Sequence, residues 1–219
     1  MRRRKKGLNA FIPFADVGFA YFFVILSAFA ILHNPEPPVP ESDPDDQALE
    51  IKAQWDVCLE EKSDGERKIG MSRSDVDLWA EALTAEGEYV TGFRQKKTKI
   101  LMLDLDDYGF QGNSDGDKNE EVIKARVQNL PAGTYTANIH MYGMRGEYPP
   151  VCVAMQVTVN KGRRGRKKEV FNDVIELSGS GQEETAVIFE VDEDGNVVED
   201  SVKVRPDLHP IATRSYSFR

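Results

Sequence analysis

Thr134-Tyr-Thr-Ala-Asn-Ile-His-Met-Tyr142 and Val151-Cys-Val-Ala-Met-Gln-Val-Thr-Val159 carry the clearest periodicity in this chain of 219 residues. In the second stretch Val151, Val153, Met155, Val157 and Val159 stand at every second position. A period of two puts them on one face of an extended strand. The same alternation recurs, less regularly, at residues 51–59, 76–83, 100–106, 122–127, 169–177 and 185–191. Turn-forming residues separate these runs: Ser63-Asp-Gly65, Glu86-Gly87, Leu130-Pro-Ala-Gly133 and Asp194-Gly-Asn196. No helix-period segment of convincing length follows residue 48. About eight or nine short strands, with a turn about every ten residues, predict an antiparallel β-sandwich over residues 49–204, jelly-roll or immunoglobulin-like. Residues 205–219 show no clear periodicity and are expected to form a loosely held tail.

The other end of the chain follows different rules. Met-Arg-Arg-Arg-Lys-Lys6 opens a basic segment, residues 1–10, with five cations and no anion. Residues 11–32 then form an apolar run of 22 residues in which Asp16 is the only charged side chain. At the rise of an α-helix this run spans roughly 33 Å, close to the hydrocarbon thickness of a bilayer. The expectation is a mainly β chain with one N-terminal transmembrane helix, its basic end cytoplasmic and everything after His33 on the far side. A cleavable signal peptide is the competitor, with Ala28-Phe-Ala30 as its small-residue site. The length of the apolar run and the carboxylate near its start favour a retained anchor. Residues 33–48 follow, and His33-to-Asp46 holds five prolines and five acids, the composition of an extended, self-repelling linker.

Asp16 is expensive where it stands, and an ionisable group at membrane depth points by default to an ion pathway. In a low-dielectric slot its pKa rises, so it is neutral against lipid or protein and charged against water. The bland reading is an acid shallow enough to reach the interface by snorkelling. The segment Pro13-Phe-Ala-Asp16-Val17 resembles the start of the membrane helix in the ExbD, TolR and MotB family of ion-driven motor subunits. The resemblance covers residues 1–33. It implies that Asp16 carries a proton or sodium ion and that Pro13 breaks the helix start beside it. Phe14, Phe19 and Phe22, with Tyr21 and Phe23, would pack against a ring of ExbB-, TolQ- or MotA-like multi-span subunits. Ser27, about three turns on and on much the same face as Asp16, would be a second polar contact. The resemblance further implies a homodimer in a bacterial inner membrane, with the C-terminal domain in the periplasm. It stops at the linker, since the later pattern shows neither the α/β periplasmic domain of ExbD and TolR nor a peptidoglycan-binding domain of the MotB type.

Without the five N-terminal cations and Asp16 the chain holds 23 basic and 36 acidic residues, which argues against nucleic acid as a partner. An envelope component, protein or cell-wall material, is the expected partner of the sandwich. Ser74-Asp75-Val-Asp77-Leu78-Trp79, with Gly133-Thr-Tyr135 later, resembles the Asp-x-Asp-Leu strand opening of certain secreted bacterial β-sandwich domains. Asp75 and Asp77 there, Asp104 and Asp106 in a second acidic stretch, and Asp115 and Asp117 beyond it supply enough carboxylates to hold calcium. Solvated turn acids explain the same residues. Arg163, Arg164, Arg166, Lys167 and Lys168 form a basic tip between two strands, suited either to anionic headgroups or wall polymers or to keeping edge strands soluble. Cys58 and Cys152, both past the anchor, are open to a disulfide or to two buried thiols. No Gly-x-Ser-x-Gly, His-Glu-x-x-His or Walker-type glycine run occurs, and His140 has no neighbouring Ser or Cys in its strand, so no enzyme is expected.

Overall fold

The computed structural model of the chain describes residues 47–58, 72–107, 119–144, 150–160 and 167–216. The expected anchor and nearly all of the linker lie outside these residues, as do Pro13, Phe14, Asp16, Phe19, Phe22 and Ser27. Among the described residues no helix is long and apolar enough to cross a membrane.

The described chain is built on two antiparallel five-stranded sheets. Its strands are β1 (Leu49–Val57), β2 (Asp75–Thr84), β3 (Gly87–Thr91), β4 (Leu101–Leu105) and β5 (Asn119–Ala125), then β6 (Gly133–Gly143), β7 (Val151–Asn160), β8 (Lys167–Leu177), β9 (Glu183–Val191) and β10 (Lys203–Val204). One sheet has the order β4-β5-β1-β7-β8, the other β10-β9-β6-β2-β3. The β2–β3, β4–β5, β7–β8 and β9–β10 connections stay within one sheet, while the β1–β2, β3–β4, β5–β6, β6–β7 and β8–β9 connections pass to the other. The β-sandwich expected from the period-two pattern is therefore present. Two strands escape that pattern: β3 is five residues opening on a glycine, and β10 only two, too few alternations to register against loop.

The core lies where the alternation put it. Ile51, Ala53 and Trp55 of β1 and Val151, Val153, Met155, Val157 and Val159 of β7 turn inward from the first sheet. Val76, Leu78, Ala80 and Ala82 of β2 and Tyr135, Ala137, Ile139 and Met141 of β6 face them from the second. Tyr135 stacks on Phe189 with centroids 5.6 Å apart, and its hydroxyl donates to the Pro131 carbonyl at 2.8 Å. A tyrosine bonded to the backbone a few residues upstream pins a sheet-crossing corner of a sandwich. Cys58 and Cys152 are joined by a disulfide with Cα atoms 5.0 Å apart. It ties the end of β1 to β7, closing a loop of 94 residues that contributes about 4.6 kcal/mol in the chain-entropy model.

The C-terminal segment departs from expectation. The segment is not loose: Arg205 pairs with Asp173 of β8, and from His209 on the chain lies against the outer face of the second sheet and ends in a short helix, α1 (Ala212–Tyr216). Ile211 and Ala212 are fully buried with Trp79, flanked by Val90 and Phe93, in a second small core. The segment has too few apolar residues to show a period. Its fixing depends on side chains from strands far away in sequence.

Candidate functional site

Two clusters of buried polar groups stand out on this frame. The first forms because β3 is short. It covers β2 only from Ala80 to Thr84, so among the described residues no strand pairs with the stretch from Asp75 to Trp79 on that side. The gap is closed by a side chain from the opposite sheet. Glu121, in β5, faces inward with the same parity as Ile123 and Ala125, and its Oε2 accepts the Leu78 N–H at 2.6 Å. Glu121 is 1% exposed, and its other carboxyl oxygen is buried without a hydrogen-bond partner.

Asp77 sits opposite His140 across β2 and β6, with Oδ2 3.6 Å from Nδ1, within ion-pair distance though too long for a hydrogen bond. Burial pushes the Asp77 carboxyl above its ordinary range, opposed by His140 beside it. Burial also pushes Glu121 well above the ordinary range, against the pull of the Leu78 N–H and with the help of the charges on Asp77 and Asp106. Asp106, just past β4, pairs outward with Lys96. Neighbouring bonds fix the frame: Trp55 Nε1 donates to Ser74 O at 2.9 Å, and Asn119 Nδ2 donates to Ser72 O at 2.7 Å and to Trp55 O at 3.3 Å.

The second cluster holds the C-terminal segment down. Glu81, Asn138, Glu183 and Thr185 project from the outer face of β2, β6 and β9, yet each is buried. Glu183 Oε1 accepts the N–H groups of Ile211 and Ala212 at 2.7 and 2.8 Å, and Oε2 accepts the Thr213 N–H and hydroxyl at 3.1 and 3.0 Å. Asn138 Nδ2 bridges Glu183 Oε1 and the His209 carbonyl, both at 2.7 Å. Burial alone would raise the Glu183 carboxyl, but the hydrogen bonds from Asn138, Ile211, Ala212 and Thr213 outweigh it and hold the group below its usual range. Glu81 takes both the His209 ring, 2.7 Å from Nε2, and the Arg214 guanidinium. Arg214 also reaches Glu88 at 3.0 Å.

The residues singled out in the sequence are distributed over these features. Asp75 and Asp77 are buried at the start of β2, whereas Asp104 pairs with Lys124 at 2.6 Å on the other sheet. Asp115, Asp117, Arg163, Arg164 and Arg166 lie outside the described residues. Among the described residues no group of three or more His, Cys, Asp or Glu is placed to hold a metal ion. Lys167 and Lys168 open β8, and Lys168 pairs with Glu199 at 2.7 Å. Sequence reasoning missed Glu81, Asn138 and Glu183, and reads Glu121 only as one of an alternating set with Asp115, Asp117 and Asn119 that could ligate calcium, not as a tie between the sheets. Glu121 had a usable signal, a charged residue at an inward parity position; the other three look like ordinary solvent-facing residues until the C-terminal segment covers them. No protein family, curated protein or solved structure matches this chain.

Proposed function

We propose that this chain is a single-pass inner-membrane subunit of a proton- or sodium-driven motor of the ExbB–ExbD, TolQ–TolR and MotA–MotB kind. The observation that carries the reading is Asp16, the only charge between Phe11 and Leu32, three positions after Pro13. A carboxylate at that depth needs a polar or water-lined partner surface to ionise, and taking up or releasing a cation changes which helix orientation is favoured. Asp16 is the ion carrier, and Phe14, Phe19, Phe22 and Ser27 face the multi-span ring. The linker passes movement to the sandwich, which engages a protein or wall component of the envelope. The Cys58–Cys152 bond supports an oxidising compartment for that domain, as the basic N-terminus does through the positive-inside rule. The strand order, with β1 between β5 and β7 and β6 between β9 and β2, supports a Greek-key sandwich of the jelly-roll or immunoglobulin-like kind.

A two-sheet ectodomain in place of the α/β domain of ExbD and TolR favours a second reading, a tethered periplasmic binding module whose helix only anchors it. One experiment separates them. Purified from native membranes in mild detergent, the motor subunit brings down a multi-span protein. The reconstituted complex takes up protons or sodium ions, Asp16→Asn abolishes that uptake, and Asp16→Glu retains part of it. An intact chain that purifies without a multi-span protein, or an Asp16→Asn complex that conducts like its parent, leaves the tether.

A further inference from the structure

Two carboxyl groups from other elements lie within electrostatic reach of Glu121 of β5: Asp77 of β2, which shares the parity of Trp79 and Glu81, and Asp106 after β4. Among the described residues the cations near Glu121 are few. His140 of β6 lies beside Asp77, and Lys96, from the β3–β4 connection, pairs with Asp106 on the outward side. Asp107 is turned away, accepting the Glu120 N–H at 3.1 Å. Glu120 itself points to the other face of β5, toward Lys52 at 3.0 Å. So among the described residues Glu121 has one donor, the Leu78 N–H, and no cation of its own, and it ties β2 beyond the end of β3 to the opposite sheet.

We propose that Glu121 is a proton-operated latch between the two sheets: neutral, it holds the Asp75–Trp79 stretch of β2 to β5, and ionised beside Asp77 and Asp106 it loosens that edge. A buried carboxylate facing like charges in low dielectric costs more than one backbone N–H returns. Opening would bare the backbone groups of β2 beyond the end of β3, an unpaired strand edge. The sign follows from the direction of the shifts. Asp77 and Glu121 are raised above their unfolded values, so the latch is fully closed below the ordinary carboxylate range. It is lost as pH climbs through the raised, folded-state value of Glu121.

The test is hydrogen exchange at the Leu78 amide in the full chain held in detergent micelles, corrected for the intrinsic pH dependence of exchange. Protection is expected to fall by about tenfold for each pH unit above the raised value, because proton occupancy changes by that factor. Glu121→Gln, which keeps the acceptor for Leu78 but cannot ionise, should hold protection level across the same range. Should that variant fail to fold, Asp106→Asn removes one repelling charge and should move the loosening to lower pH. Protection that does not change with pH in the parent chain, or the same pH profile in parent and variant, overturns the proposal.

Discussion

Glu183 on β9 accepts the backbone N–H of Ile211, 28 positions later, at 2.7 Å, and so begins the last helix of the described chain from a different element. The first N–H groups of any helix have no partner within it. They are usually met by a local Ser, Thr, Asp or Asn. Here Pro210 stands just before the turn, and a carboxylate from the sheet takes the N–H groups of Ile211, Ala212 and Thr213.

Glu183→Ala should therefore free residues 205–216 without dissolving the sandwich. Leaving buried N–H groups unmet costs about 1–3 kcal/mol each, so a loss of about 3 kcal/mol or more is expected for the segment. Limited proteolysis reads it directly: cleavage near Arg205 or Arg214 should appear early in the variant and late in the parent. Equal cleavage rates would show that the apolar contacts of Ile211 suffice.

The same carboxylate sets an acid response opposite in sign to that of Glu121. Glu183 is lowered from its ordinary value, so its contribution is present above the ordinary carboxylate range and is lost as pH falls through the depressed folded value. Acidification below about pH 4, where an unperturbed Glu titrates, should release the C-terminal segment while the β2–β5 edge stays closed. Proteolysis of the segment together with Leu78 exchange over one pH series separates the two. Simultaneous loss of both would mean global unfolding instead.

Gly92 lies under the ring of Trp79, and a Cβ there would come within 2.5 Å of Trp79 Cε3. Gly92→Ala must push the indole out of its recess against Ile211 and Phe93, whose ring meets it edge-on at 5.8 Å. A loss of about 1–3 kcal/mol is expected from such overpacking. Urea unfolding gives the loss, and a red shift in the emission assigned to Trp79, measured in a Trp55→Phe background, gives its place. Gly133→Ala should be worse, because the new Cβ would meet the Leu83 carbonyl oxygen, which is backbone, at 2.3 Å.

Reducing the Cys58–Cys152 bond should lower the stability of the sandwich by about 4.6 kcal/mol, chiefly through the unfolded chain. Paired urea curves with and without reductant measure it, and Cys58→Ser with Cys152→Ser should reproduce the reduced curve. A difference under about 1 kcal/mol would mean that the nine-residue register of β1 on β7 already fixes the loop ends.

Much of the frame was legible. β7 reads as a strand because five apolar residues alternate without interruption, and its inward set is the one found in the core. β2 was readable as a strand but not as one buried on both faces, for nothing local reveals that Trp79 and Glu81 will be covered. The outer-face residues Asn138 and Glu183 carried no signal, since a polar residue on alternate positions is what a solvated sheet face looks like.

What the sequence determined by itself is local: the strand period, the turns between strands, the acidic balance, and the one acid within the apolar run at residues 11–32. These are properties of neighbouring residues, and backbone geometry converts them into structure without knowledge of the rest of the chain. Tertiary structure alone decided that Glu121 would close the gap left by a short β3, and that Glu183 would receive the chain end. Both depend on the order of strands in two sheets, which brings residues tens of positions apart within hydrogen-bond reach. Burial, which only that packing supplies, is what turns an ordinary glutamate into a group whose proton matters.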